Sequence, residues 1–269
     1  MTSSEVRATR KIAVVTGASS GIGAVYADRL ASRGYGLVLV ARRADRLQDL
    51  SARLTKAHGV SVELINADLT KEEDLARVEA VLSGNPAVRV LVNNAGVARL
   101  RPLAASSAED SFSQIALNVT ALTRLTQAVL PAFKARNEGV IVNISSVLAV
   151  HSMPVSAVYS GTKGYVLNFS RGLQAELAGT GVRVHLVLPA STATEIWDNS
   201  GVPLAALDKE KVMTTENLVD AALAGFDQGE AITWPSVADA GLWDAYDTAR
   251  ASLFAATQTG IPAPRYKLA

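Results

Sequence analysis

Tyr159 and Lys163 stand four residues apart in Tyr159-Ser160-Gly161-Thr162-Lys163. On a helix that spacing puts one side chain above the other on a single face. A free phenol ionises near pH ~10 and is a poor base at neutral pH. An ammonium within a few ångströms favours the phenolate and lowers that pKa. The pair would then serve as a proton donor and acceptor. The same spacing on an ordinary surface helix would do no chemistry, so the rest of the chain decides.

A second group of residues suits a phosphate. Thr16-Gly17-Ala18-Ser19-Ser20-Gly21-Ile22-Gly23 follows an apolar run, Ile12 to Val15, and precedes an amphipathic segment through Leu30. Glycines let a backbone turn sharply and approach an anion, and the first N–H groups of the following helix point at its charge. Gly17, Ser19, Ser20, Gly21, Ile22 and Gly23 are therefore candidate cofactor contacts. A further strand spans Gly36 to Val40. In an NAD-binding fold an acidic residue usually closes this strand and holds the adenine ribose. Here Ala41, Arg42 and Arg43 follow. A small residue beside a guanidinium admits a 2′-phosphate, so NADP(H) is expected over NAD(H), with Arg42 the principal contact and Arg43 beside it. Alternatively, the arginines belong to the solvated start of the next helix.

The elements that must position these groups are legible as an alternation. Strands are expected over 11–16, 36–40, 60–67, 88–92, 140–144, 182–188 and 231–234. Helices are expected through Leu30 and over 45–58, 71–82, 105–136 with a break or kink near Pro131, then from the end of a loop over 147–155 to about 178, and over 215–228 and 239–256. Alternating strands and helices imply a doubly wound α/β fold with a parallel sheet of about seven strands and helices on both faces. Asp68 and Leu69 follow the third strand, and Asn93-Asn94-Ala95-Gly96 the fourth. Ser145 and Ser146 close the fifth, where open α/β sheets bind ligands. Asn118 falls mid-helix, a position that propensity does not favour. Residues 190–213 are irregular and mix Trp197, Leu204 and Leu207 with Gly201 and Pro203, which suggests a loop covering a substrate. One domain is expected for 1–269, with 236–269 as a helical tail.

Composition narrows the function classes. The chain has 269 residues, 49% hydrophobic and 19% charged, with a net charge of +1. That balance gives no argument for nucleic acid or an anionic membrane. Cysteine is absent, which excludes disulfides and thiolate sites and leads to a cytoplasmic expectation. The first ten residues are polar and are expected to be mobile, with no signal peptide, and no membrane span is expected. His58, His151 and His185 are dispersed, so no metal site is expected.

Thr16-Gly17-x-x-x-Gly21-x-Gly23, Asn93-Asn94-Ala95-Gly96, Asn118, Ser146 and Tyr159-x-x-x-Lys163 together resemble the short-chain dehydrogenase/reductase family, in its short single-domain branch. The resemblance covers about residues 10 to 235. It implies an NADP(H)-dependent oxidoreductase interconverting a carbonyl compound and a secondary alcohol by hydride transfer. The active serine of that family lies thirteen residues before the tyrosine, which selects Ser146 over Ser145. Ser146 would polarise the carbonyl, and Tyr159 would act as general acid and base. Lys163 would lower the Tyr159 pKa and hold the nicotinamide ribose, and Asn118 would hold a relay water. The resemblance also implies that Asp68 and Leu69 contact the adenine and that Asn94, Ala95 and Gly96 line the cofactor cleft. Pro189, Thr192 and Thr194 would lie near the nicotinamide, and Leu148, Ala190, Ile196 and Trp197 would line an apolar substrate pocket.

The chain departs from the family pattern at Ala190, where glycine commonly follows the proline, and at Gly161-Thr162, commonly Ala-Ser. Family members are commonly homodimers or homotetramers built through the helices carrying Asn118 and Tyr159, so the same is expected here. Two other readings fit the sequence less well. A non-catalytic NADP-binding sensor or scaffold typically loses the tyrosine or serine. A sugar-nucleotide epimerase or dehydratase is usually longer and has a different glycine spacing.

Overall fold

Ile12, Ala13, Val14 and Val15 form a strand because β-branched residues suit a pleated surface buried on both sides. In the computed structural model, which describes residues 11–266, this is β1 (Ile12–Thr16), an interior strand of a seven-stranded parallel sheet. The other strands are β2 (Gly36–Ala41), β3 (Val62–Asn66), β4 (Val88–Asn93), β5 (Gly139–Ile144), β6 (Val182–Val187) and β7 (Ile232–Thr233). Their order is β3-β2-β1-β4-β5-β6-β7. The chain therefore reverses direction across the sheet between β1 and β4, which opens a crevice at the carboxyl ends of those strands. The expectation of mobile first residues falls outside the described residues.

Successive strand residues face opposite layers. Ala13, Val15, Leu37 and Leu39 pack with Tyr26 and Leu30 of α1 (Gly21–Ser32), Leu47 and Leu54 of α2 (Ala44–His58), and Val219 of α7 (Thr215–Asp227). Val14, Val38, Leu91 and Ile141 face the other layer. There they meet Val78 of α3 (Glu72–Gly84), Val129 and Phe133 of α5 (Leu122–Arg136), and Leu173 of α6 (Ala157–Glu176). Each of the buried Val, Leu, Ile and Phe side chains among them contributes roughly 1.5–3 kcal/mol, so both layers hold the strand ends where the site is built.

The helical region expected as one stretch over 105–136 is instead α4 (Ala108–Ile115), a π turn over Ala116–Ala121, and α5. Pro131 does not break it and lies within α5. Position 131 is exposed, so the carbonyl that loses its N–H partner can turn to water. The irregularity falls at Asn118 instead, which is 2% exposed.

The irregular stretch 190–213 is a chain of short 3-10 turns (Glu195–Asn199, Leu204–Ala206, Lys209–Lys211), closed by a bridge between Thr192 and Met213. The described residues divide into two compact units that part between Pro235 and Ser236. The second contains α8 (Gly241–Ala256) and a turn at Pro264–Tyr266. No helix among the described residues is long and apolar enough to cross a membrane.

Candidate active site

The glycine loop is shaped by Thr16 and Asn94 from the two strands that flank the crevice. The Thr16 hydroxyl donates to the Val92 carbonyl at 3.1 Å and accepts from the Asn94 and Ala95 amides at 3.0 Å each. The Asn94 side chain donates back to the carbonyls of Thr16 at 2.9 Å and Gly17 at 3.3 Å. Asn94 thus faces the loop, and Ala95 and Gly96 carry the backbone past it. Gly17 has φ 66°, and a Cβ there would lie 2.8 Å from Asn94 Nδ2. A Cβ on Gly23 would lie 2.4 Å from the Gly17 carbonyl oxygen. The loop therefore stays free of side chains at Gly17, Gly21 and Gly23. α1 begins at Gly21 with no side-chain cap from Ser20 and no acidic residue in its first turn. The N–H groups around Ile22 are left for an anion.

At the end of β2 the two arginines separate. Arg42 is exposed, with no side-chain hydrogen bond or ion pair found for it among the described residues. Arg43 turns onto the glycine loop. It donates to Ser19 Oγ at 3.0 and 3.2 Å and to Ser20 Oγ at 2.8 Å, and it pairs with Glu195 Oε2 at 2.6 Å. Arg46 holds the other Glu195 oxygen. These arginines, Arg46 first and then Arg43, pull the Glu195 carboxyl down to about 2. Arg46 and Glu195 were not picked out from the sequence. Glu195 is 152 residues from Arg43 and no local pattern announces the pairing. Across the crevice, one Asp68 oxygen accepts from the Thr70 amide at 3.0 Å and from its hydroxyl at 2.7 Å, and Leu69 is buried.

Ser146, Tyr159 and Lys163 come together where β5 meets α6, and Asn118 lies behind them. All four are less than 10% exposed. Lys163 Nζ donates to the Ile144 carbonyl at 2.9 Å, and Ser145 Oγ donates to the Lys163 carbonyl at 2.9 Å, so the strand end and the helix are stapled in both directions. That gives Ser145, the other member of the serine pair, a structural bond. The Ser146 hydroxyl accepts from the Leu148 amide at 3.1 Å and lies beside the Tyr159 phenol. Asn118 donates to the Val97 carbonyl at 2.9 Å and to Thr162 Oγ1 at 3.1 Å, and accepts from the Val97 amide at 2.9 Å.

The electrostatics differ from the expectation for Tyr159. Burial pushes its phenol up to about 12, with the Ser146 hydroxyl pulling the other way, and Lys163 does not lower it. The ammonium lies 5.7 Å from the centre of the Tyr159 ring and is directed at Ile144. Burial also pushes Lys163 down to about 8. Desolvation outweighs the charge pairing that the four-residue spacing suggests.

The segment after β6 folds over the loop. The Val147 amide donates to the Pro189 carbonyl at 2.9 Å, and Thr192 Oγ1 donates to the Ala190 carbonyl at 3.0 Å. Thr194 Cγ2 lies 3.2 Å from where a Gly21 Cβ would be. Trp197 Nε1 donates to the Thr192 carbonyl at 2.7 Å, so its indole N–H braces the segment itself. Leu148, Ala190 and Ile196 are half-buried.

A parallel sheet that reverses between β1 and β4, a bare glycine loop at the reversal and a buried Ser–Tyr–Lys group beside it define a Rossmann-type protein with its candidate site at the topological switch point. The chain belongs to the short chain dehydrogenase family, whose pattern matches residues 11–203. It is similar to a short-chain dehydrogenase from Sphingobium yanoikuyae solved in complex with NADPH, at 46% identity and a TM-score of 0.92, over 96% of this chain and 100% of that one. It is also similar to the bulky-bulky ketone specific alcohol dehydrogenase from Comamonas testosteroni, at 39% identity and a TM-score of 0.87, over 96% and 99% of the two chains. Very-long-chain 3-oxoacyl-CoA reductase-A from Danio rerio is 37% identical over 190 residues, 69% of this chain. The match spans only 59% of that longer protein.

Proposed function

We propose that the protein is an NADP(H)-dependent oxidoreductase interconverting a ketone with bulky substituents and the corresponding secondary alcohol. The observation that carries this is the burial of Ser146, Tyr159 and Lys163 together where β5 meets α6, with Lys163 stapled to the strand end. Near-complete coverage by a ketone-specific alcohol dehydrogenase supports the substrate class over 3-oxoacyl thioesters, since the relative named for those shares a smaller part of its length.

The residues fit the cofactor. Gly17, Gly21 and Gly23 keep the loop bare, and the uncapped first turn of α1 offers N–H donors to a diphosphate. Arg43, with Ser19 and Ser20, offers a fork and two hydroxyls to a 2′-phosphate. Asp68 and Leu69, which follow β3, and Pro189, Thr192 and Thr194, which follow β6, would meet the cofactor's adenine and nicotinamide ends. When bound, the cofactor supplies the hydride.

The chain's own residues handle the proton. Tyr159 is protonated at neutral pH because burial holds its phenol near 12. It is therefore charged with the proton that a developing alkoxide needs. Ser146 donates to the same oxygen as negative charge grows on it, the role of an oxyanion-hole donor. Lys163 carries the positive charge that steadies a phenolate once the proton has left, and it reaches a ribose from its place on Ile144. Asn118 Oδ1 and Lys163 Nζ flank one bare Cα, lying 3.3 and 3.7 Å from where a Gly96 side chain would start. Our reading sets the relay water there. Leu148, Ala190, Ile196 and the body of Trp197 give the ketone an apolar wall. Assembly as a homodimer or homotetramer completes the proposal and is checked by light scattering.

The test is an NADPH-oxidation screen over diaryl and other doubly bulky ketones, methyl ketones and 3-oxoacyl thioesters, with the alcohols run in reverse. Turnover of the bulky ketones is expected to lead. Turnover of thioesters alone overturns the substrate class, and none with any carbonyl overturns the enzyme reading.

A further inference from the structure

The anion cradle that the sequence points to at the end of β2 already holds an anion, and it belongs to the protein. Glu195 opens the 3-10 turn Glu195–Asn199 and reaches across the crevice to Arg43 at 2.6 Å and to Arg46. The same Arg43 donates to Ser19 and Ser20. One carboxylate thus collects two guanidinium groups beside the loop hydroxyls that Arg43 also holds, donors of the kind a phosphate monoester takes. Thr194, its neighbour, rests against Gly21 at the start of α1, so the ion pairs seat the covering segment on the loop.

We propose that Glu195 is a specificity-determining residue that stands in for the cofactor's 2′-phosphate. This inference rests on the NADP(H) reading above. A 2′-phosphate must take Arg43 from Glu195, and a ligand without that phosphate leaves the pair intact. Glu195 therefore lowers the advantage of NADP(H) over NAD(H), and it ties entry of the phosphorylated cofactor to release of the 195–199 turn. Both partners are about 40% exposed on their side chains. Exposed pairs contribute little each, so phosphate displacement is feasible and the effect is moderate.

The experiment is calorimetric titration with 2′,5′-ADP and with 5′-ADP, which differ in the 2′-phosphate. Glu195→Gln keeps the side chain's shape and removes its charge. Its affinity for 2′,5′-ADP is expected to rise about three- to tenfold, with 5′-ADP changed less than about twofold. Trypsin sites at Lys209 and Lys211 provide a second readout. In the wild type 2′,5′-ADP should speed cleavage there and 5′-ADP should not, whereas the variant is cleaved quickly with either. Equal changes for both ligands, or no change, overturn the proposal while a wild-type preference for 2′,5′-ADP leaves the NADP(H) reading standing. A wild type with no preference between the two ligands overturns both.

Discussion

Lys163 Nζ sits on the Ile144 carbonyl at 2.9 Å and 5.7 Å from the centre of the Tyr159 ring, so the ammonium and the phenol share a site without pairing directly. Burial pushes the Tyr159 phenol up to about 12, with the Ser146 hydroxyl pulling the other way. Tyr159→Phe removes only the hydroxyl. Turnover is expected to fall by about 10²–10⁴ or more, with NADPH affinity within about twofold of wild type. Steady-state rates and a fluorescence titration check both halves, and retained turnover would sink the proton-transfer role.

Lys163 is a second lever. Its charged form is desolvated, which depresses the ammonium from 10.5 to about 8. Ketone reduction should fall as pH rises through about 8, where the charge is lost. A depression of that size corresponds to a burial penalty on the order of 3 kcal/mol for the charged form. Lys163→Met is therefore expected to raise the melting temperature at pH 7 while abolishing activity, the trade seen when strained functional groups are removed. A lower melting temperature in that variant contradicts the account.

Much of this architecture is legible in the chain. The run Ile12 to Val15 can only be a buried strand or a short piece of buried helix, and the glycines after it decide for the strand. Ser146 is singled out by the family resemblance, through its distance from Tyr159, and the structure brings the two side chains together. What escapes the sequence is whatever depends on long-range meeting. Asn118 reads as a polar residue in a helix, and only its bonds to Val97 and Thr162 explain the π turn around it. Pro131 draws attention as a helix breaker, yet an exposed proline in a packed helix is tolerated. The Tyr159 phenol was expected to be lowered by Lys163. Burial reverses that sign, and burial belongs to the fold rather than to the four-residue spacing.

Two glycines separate packing from propensity. A Gly23→Ala methyl would lie 2.4 Å from the Gly17 carbonyl, a backbone atom that cannot yield without moving the loop. A loss of about 3 kcal/mol is expected, together with loss of dinucleotide binding. Gly161 lies inside α6 with nothing within 4 Å of its added Cβ. Gly161→Ala is expected to stabilise by up to about 1 kcal/mol. Chemical denaturation of both variants measures the contrast.

His185 gives the fold a pH dependence of its own. It is 1% exposed in β6, with Nε2 3.0 Å from Thr233 Oγ1, and burial, aided by Arg183, pushes it down from 6.5 to about 4. The unfolded chain takes up a proton below about 6.5, and the folded one resists until about 4. Stability is therefore present above 6.5 and is lost as pH falls through that window, by on the order of 3 kcal/mol. His185→Gln can keep the bond to Thr233 and has no proton to gain. Melting temperatures from pH 7 to 4 should fall less steeply in the variant, and parallel curves would exclude His185 as the source.

The last prediction distinguishes two neighbouring arginines. From the sequence Arg42 is the principal 2′-phosphate contact, because it directly follows the small residue at the end of β2. In the structure Arg42 is exposed to solvent, and Arg43 bonds Ser19 and Ser20 of the glycine loop. A fork already oriented by two hydroxyls loses less rotamer freedom on meeting a phosphate than a solvated side chain does. Charge-assisted bonds are worth roughly 1.5–3 kcal/mol, so Arg43→Ala should weaken NADPH by about 10- to 100-fold with NADH little changed. Arg42→Ala is expected to cost NADPH a smaller factor, set by its exposed charge alone. Dissociation constants for both cofactors in both variants decide the matter. A larger loss of NADPH in Arg42→Ala would return the principal contact to Arg42 and leave Arg43 as an anchor for Glu195.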